Sequence, residues 1–84
     1  MNFLTLRYFQ AVAQERSFKG AAGRLGLSQQ TLSEHIRRLE EELGADLFSR
    51  TRPLTLTEAG ERLMLGAEEI LSAKSRLDWD IWSR

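Results

Sequence analysis

The chain has 84 residues, no cysteine, one histidine, and 12 basic residues balanced by 12 acidic ones. That length holds one domain and excludes a barrel or a doubly wound sheet. The missing cysteines exclude a disulfide framework, thiolate metal sites and thiol catalysis, and they suit a reducing compartment. The opening MNFLTLRYFQ lacks a signal pattern and no apolar run approaches a membrane span, so a cytoplasmic protein with no membrane partner is expected.

The first expected element is a helix from Leu4 to Glu15, with Leu6, Phe9, Val12 and Ala13 close to one face. Ser17 is placed to cap a second, short helix, in which Phe18, Ala21, Ala22 and Leu25 follow the i, i+3, i+4, i+7 template. Two small alanines there let a crossing helix come close. Gly20 and Gly23 each weaken this helix by about 1 kcal/mol relative to alanine, so it depends on tertiary packing. Gly26-Leu27-Ser28 then reads as a stop, an apolar plug and a start. A third helix is expected over Gln29 to Leu43, ending at Gly44, with Leu32, Ile36, Leu39 and Leu43 within about 60° of arc. Gln30, Glu34, Arg37 and Glu41 occupy its opposite side, and His35 lies at the flank as a packing residue.

Beyond Gly44 the pattern changes. Leu47-Phe48 and Leu54-Thr55-Leu56 predict two short strands joined by a loop over Ser49 to Pro53, a hairpin with two arginines at its tip. Thr57 is expected to cap a last helix reaching Trp82, about 38 Å long, which must overhang so small a body. Leu63, Ala67, Ile70, Lys74, Leu77 and Ile81 repeat at 4, 3, 4, 3, 4, a coiled-coil seam with one lysine in it. Such a seam predicts a homodimer. Trp79 and Trp82 share one face and are expected either to pack in a helix–helix interface or to fray at the terminus.

Two helices joined by a short glycine turn, the second with a long polar face, make a helix-turn-helix, and the hairpin makes it a winged one. The expected class is mainly α, with a three-helix core, a two-stranded wing and a long linker helix. The boundary falls between residues 1–56, the winged domain, and 57–84, the linker or dimerisation helix. Zero net charge hides a strong polarity. Arg16, Lys19, Arg24, Arg37 and Arg38 against Glu34 give the stretch from Arg16 to Arg38 a charge of +4, and Glu40, Glu41, Glu42 and Asp46 follow without a base. Arg50 and Arg52 then add positive charge with no acid between Leu47 and Thr57. A helix fits the major groove and reads base edges with short polar side chains from its first turns. Here those turns read Ser28-Gln29-Gln30-Thr31-Leu32-Ser33-Glu34, and glutamine pairs bidentately with adenine. The wing arginines suit an adjacent, narrow minor groove.

The stretch SFKGAAGRLGLSQQTLSEHIRRLEEELGADLFSRTRPLTLTEAG, from Ser17 to Gly60, closely resembles the DNA-binding domain of LysR-type transcriptional regulators. The resemblance runs from the Tyr8-Phe9 segment to the final helix. It implies double-stranded DNA as partner, the third helix as recognition helix, and a last helix that pairs two subunits. By position it implies Ser28, Gln29, Gln30, Ser33 and Glu34 as groove-facing residues and Arg50, Arg52 and Pro53 as wing residues. Thr31 and Arg37 join them as a base or phosphate contact and a phosphate contact. The chain departs from the family in Gln30, where proline is usual, in Glu34, where arginine is common, and in Gly23, where a larger polar residue is usual. Glu34 only accepts hydrogen bonds, for example from the cytosine amino group. The resemblance also implies an effector-sensing domain after the linker helix, so the sequence reads as the DNA-binding portion of a longer regulator, with any small-molecule effector held by the absent domain. No cofactor, metal site or nucleophile–base pair is expected, and hence no enzyme. The competing reading is a protein-interaction module that dimerises without binding DNA.

Overall fold

In the computed structural model, which describes residues 1–82, the first helix starts one residue earlier than the apolar pattern alone indicates. Asn2 is the reason: its Oδ1 accepts the Thr5 N–H at 2.8 Å and the Thr5 hydroxyl at 2.9 Å, satisfying an otherwise orphaned donor of the first turn. Helix α1 spans Phe3–Glu15 and closes on Arg16 in the left-handed conformation. Ser17 accepts the Gly20 N–H at 2.9 Å and starts α2, Phe18–Leu25. Gly26 ends α2 at φ 70°, a value that carries no steric penalty only for glycine. Helix α3 runs Gln29–Leu43 from the Ser28 cap to Gly44, and α4 runs Glu58–Trp82.

The apolar faces meet in one core. Phe9, Val12, Leu32, Ile36, Leu39 and Leu47 are fully enclosed, each contributing about 2–3 kcal/mol of burial. Ala21 and Ala22 are buried where α2 crosses its neighbours, as their size allows. Ala11 joins the core, and Leu43 is left out of it while Glu40 is buried. Phe48 lies between Phe9 and Phe18, with ring centroids 5.4 and 5.8 Å away, and so fastens the segment after α3 to the helices. Tyr8 meets the His35 ring edge-on at 5.1 Å, which is the flanking packing role expected of that histidine.

The wing is smaller than the two strands expected. Phe48 and Leu56 form a single antiparallel bridge, flanked by bonds from Ser49 N–H to Thr55 O at 2.9 Å and Thr57 N–H to Leu47 O at 3.0 Å. Pairing stops there for two local reasons. Arg50 turns into the left-handed region at φ 52°, and Pro53 has no N–H to offer a ladder. The loop is instead tied by hydroxyls: Ser49 Oγ lies 2.9 Å from Thr51 Oγ1 and 2.6 Å from Thr55 Oγ1, and Thr51 donates to Pro53 O at 3.0 Å.

The root of α4 is built into the body. Thr57 Oγ1 donates to Asp46 O at 2.6 Å and accepts the Gly60 N–H at 3.1 Å. Ala59, Leu63 and Met64 pack on the main core, while Ala67 and Leu71 close on Leu6 of α1. Beyond Ser75 the helix extends past the body, which stretches the molecule to 46 × 26 × 21 Å.

Candidate nucleic-acid interface

Helix α3 has two chemically opposite sides. Leu32, Ile36 and Leu39 are sealed against the core, and Gln29, Gln30 and Thr31 stand exposed at its first turn. Ser28 Oγ accepts the Thr31 N–H at 3.0 Å and donates to the Thr31 hydroxyl at 2.8 Å, so these two hydroxyls are held in one arrangement. Ser33 is half-buried beside the wing, and Glu34, on the outer side of the helix, is partly covered by Arg37 and Arg38. The core thus fixes the rotation of α3 about its axis, and that rotation decides which polar side chains face outward.

One turn further along, the charges are tied to one another. Arg37 donates to both Glu34 oxygens, at 2.7 and 3.3 Å, and to Glu41 at 2.6 Å, and Arg38 approaches Glu34 at 3.3 Å. The Arg37 hydrogen bonds, helped by the charges of Arg37 and Arg38, hold the Glu34 carboxyl below the usual carboxylate range. The same bonds to Glu34 raise Arg37. These are exposed pairs and contribute little to stability. Their effect is on the surface: Glu34 is presented as an ionised acceptor whose charge is balanced by its neighbours.

The wing meets α3 across a surface groove of about 290 Å³, lined by Phe18, Ser33, Arg50, Thr51, Arg52 and Leu54. The fold therefore brings Ser33 and both wing arginines to one place. The two arginines differ there. Arg52 and its neighbour Pro53 are exposed, and Arg52 makes no ion pair among the described residues. Arg50 turns back on the body, with Nη1 and Nη2 donating to the two Glu40 oxygens at 3.0 and 2.6 Å and Nη1 also to Phe48 O at 3.3 Å. Glu40 is 8% exposed and also accepts the Leu47 N–H at 2.7 Å. Burial pushes its carboxyl up, but the bonds from Arg50 and from the Leu47 and Phe48 backbone outweigh that and hold it low. The bond to Glu40 raises Arg50 in turn. Sequence reasoning treated Glu40 only as part of an acidic block. A signal was present, since Glu40 continues the row Leu32, Ile36 at four-residue steps onto the inner side of the helix.

The seam expected along α4 is divided by the fold. Leu63 packs on the core and Ala67 is completely buried against Leu6 and Leu71 of its own chain. Lys74 bonds Asp78 at 2.8 Å and lies 5.5 Å over the Phe3 ring. Ile70, Leu77 and Ile81 are exposed, as are Trp79 and Trp82. Among the described residues no helix is long and apolar enough to cross a membrane, and no acid or histidine cluster suits a metal.

This geometry has close parallels. Residues 3–61 match the model of the bacterial regulatory helix-turn-helix protein, lysR family. The regulator BudR of Klebsiella aerogenes is 55% identical over 73 residues, a match covering 86% of this chain and 51% of that protein. XapR of Escherichia coli is 51% identical over 67 residues, covering 79% of this chain and 23% of the relative, so the chain spans from about half to under a quarter of such regulators. The BenM DNA-binding domain, solved with its benA site 1 DNA, superposes with a TM-score of 0.89 at 41% identity, covering 92% of this chain and 88% of that one. The chain belongs to the LysR family of bacterial helix-turn-helix transcriptional regulators and constitutes the DNA-binding domain of that family.

Proposed function

We propose that this domain reads a specific double-stranded site with the first turns of α3 in the major groove and the wing over the adjacent minor groove. The carrying observation is the orientation of α3: three sealed apolar side chains behind, and Gln29, Gln30 and Thr31 exposed in front. Gln29 and Gln30 supply bidentate amides, each worth about 1–3 kcal/mol of base discrimination. Ser28, Thr31 and Ser33 supply short hydroxyls for bases or phosphates. Glu34, balanced by Arg37 and Arg38, accepts from a cytosine amino group, and Arg37 lies beside the neighbouring phosphate track. Arg52 is the wing's outward cation, with Pro53 shaping the tip. That the similar BenM domain was solved on DNA supports a DNA-binding use of this fold.

In this reading two copies bind a pseudo-palindromic site with recognition helices about 34–36 Å apart, or a multiple of that. The exposed row Ile70, Leu77 and Ile81 of α4 joins them, while Leu63, Ala67 and Lys74 set the angle of that helix on the body. The parent regulator acts in the cytoplasm and takes its small-molecule effector in a separate domain, with no catalytic step in this one.

Selection of bound sequences from a random duplex pool, followed by footprinting, tests the reading. It should return a symmetric site, with a cytosine preference that Glu34→Gln relaxes. Arg52→Ala should lower the slope of log affinity against log salt by about 0.9 for one lost phosphate contact. Absence of any salt-sensitive binding to duplex DNA at low ionic strength would leave the chain as a protein-interaction module instead.

A further inference from the structure

We propose that Glu40 and Arg50 form a strut that positions the wing on the recognition helix, and that Arg50 is not itself a DNA-contacting residue. The proposal rests on the DNA-binding reading above for its consequence, but its geometry stands independently. Three observations converge on it. Both Glu40 oxygens are engaged, by two Arg50 nitrogens and by the Leu47 N–H, so one buried carboxylate on α3 grips both ends of the four-residue segment that enters the wing. The Arg50 guanidinium also bonds Phe48 O and lies 5.8 Å over the Phe18 ring, which ties it to the start of α2. Finally, Arg50 adopts φ 52°, a left-handed conformation that is sterically unfavourable for a non-glycine residue. That backbone turn aims the side chain back at α3, and the bidentate pair offsets the strain.

Of the five guanidinium N–H groups, three are used inside the molecule and one ring face is partly covered. A phosphate could take the forked face of this arginine only by breaking the Glu40 pair, which would leave a buried carboxylate with the Leu47 N–H as its remaining partner and is strongly unfavourable. Arg52, two residues on, is unencumbered. The two wing arginines therefore divide the work, one fixing the wing and the other meeting DNA.

The two roles predict opposite signs. If Arg50 were a phosphate contact, Glu40→Gln would remove a negative charge, free the arginine and tighten DNA binding. If the pair is a strut, Glu40→Gln weakens binding roughly tenfold, within the range of coupled side-chain networks. In the strut case Arg50→Met and Arg50→Lys weaken binding by a similar factor at every salt concentration, without changing the salt slope that Arg52→Ala lowers. Arg50→Lys keeps the charge and the fold, so a fall in its affinity reports lost bidentate geometry. Amide exchange reads the same proposal without DNA. The Ser49 and Thr57 amides, which hold the wing, should exchange faster in Glu40→Gln, while the Ile36 amide keeps its protection. Tighter binding by Glu40→Gln, a flattened slope for Arg50→Met, or unchanged Ser49 and Thr57 exchange would each overturn the strut. Failure of the wild type to bind duplex DNA with altered wing exchange in Glu40→Gln would instead sink the functional reading and leave the strut standing.

Discussion

From Ala59 to Leu71, α4 lies along the body with Leu63, Ala67 and Leu71 turned onto the core and Leu6; from Ala73 to Trp82 the same helix carries Leu77, Trp79, Ile81 and Trp82 into solvent. Both halves are rich in large apolar side chains at helical spacing. What separates them is distance along the axis, since α1 is 13 residues long and offers no surface beyond its own end. Apolar periodicity tells which residues share a face, and the neighbouring element decides whether that face is already occupied.

The sharpest way to break this contrast is at the two glycines of α4. A Cβ at Gly60 would collide with the Leu47 carbonyl oxygen and stand 2.9 Å from Leu56 Cδ2. Backbone cannot yield as a flexible side chain does, so Gly60→Ala should cost about 3 kcal/mol and lower the melting temperature by roughly 15 °C. Thermal unfolding followed by circular dichroism measures it, and a change below a few degrees would mean that α4 is not seated on the wing root. Next in size, Leu71→Ala should cost about 2 kcal/mol in urea unfolding. Leu77→Ala, 59% exposed in the single chain, should change monomer stability by less than about 0.5 kcal/mol. Under the proposed pairing of two copies through α4, its effect belongs in sedimentation at rising concentration, as weaker dimerisation.

An effect at or below that of Leu71→Ala follows from Glu40. Its carboxyl titrates below the unfolded-chain value of about 4.3, so the stability it contributes is present above that pH and is lost as pH falls through the lower folded value. With Arg50 half-exposed, Glu40→Gln should cost about 1–2 kcal/mol at neutral pH. The gap between wild type and variant should close between pH 5 and the acid limit, read from urea midpoints at each pH (the ~1-unit steps of a usual series suffice). A gap independent of pH would assign the loss to packing. Of opposite sign is Gly66→Ala. Nothing lies within 4 Å of a Cβ there, so removing a helix-interior glycine should stabilise the domain by about 0.5–1 kcal/mol.

Caps and periodicity made most of the helical framework legible. Ser17, Ser28, Gly26 and Gly44 bound α2 and α3 where their side chains or backbone freedom indicate, because capping is a local interaction between residues a few positions apart. The polar turn Ser28 to Thr31 was legible for the same reason. The wing was less so. Alternation at Leu54 to Leu56 signals extended chain, but the hydroxyl ties of Ser49, Thr51 and Thr55 and the left-handed Arg50 replace most of the ladder. Arg50 and Arg52 are equivalent in sequence, both basic, two residues apart in one loop. Only the buried carboxylate of Glu40, ten positions earlier, makes them different.

The linear chain by itself determined the four helices, the caps at Ser17, Gly26, Ser28, Gly44 and Thr57, and the apolar row Leu32, Ile36 and Leu39 of α3, since these depend on residues within a turn or two of each other. Tertiary structure alone decided which α4 side chains are consumed by α1, that Gly60 must admit the Leu47 carbonyl, and that one wing arginine faces inward. Those outcomes depend on contacts between segments far apart in sequence, where packing and the desolvation of a single carboxylate choose among arrangements that local propensity leaves equal.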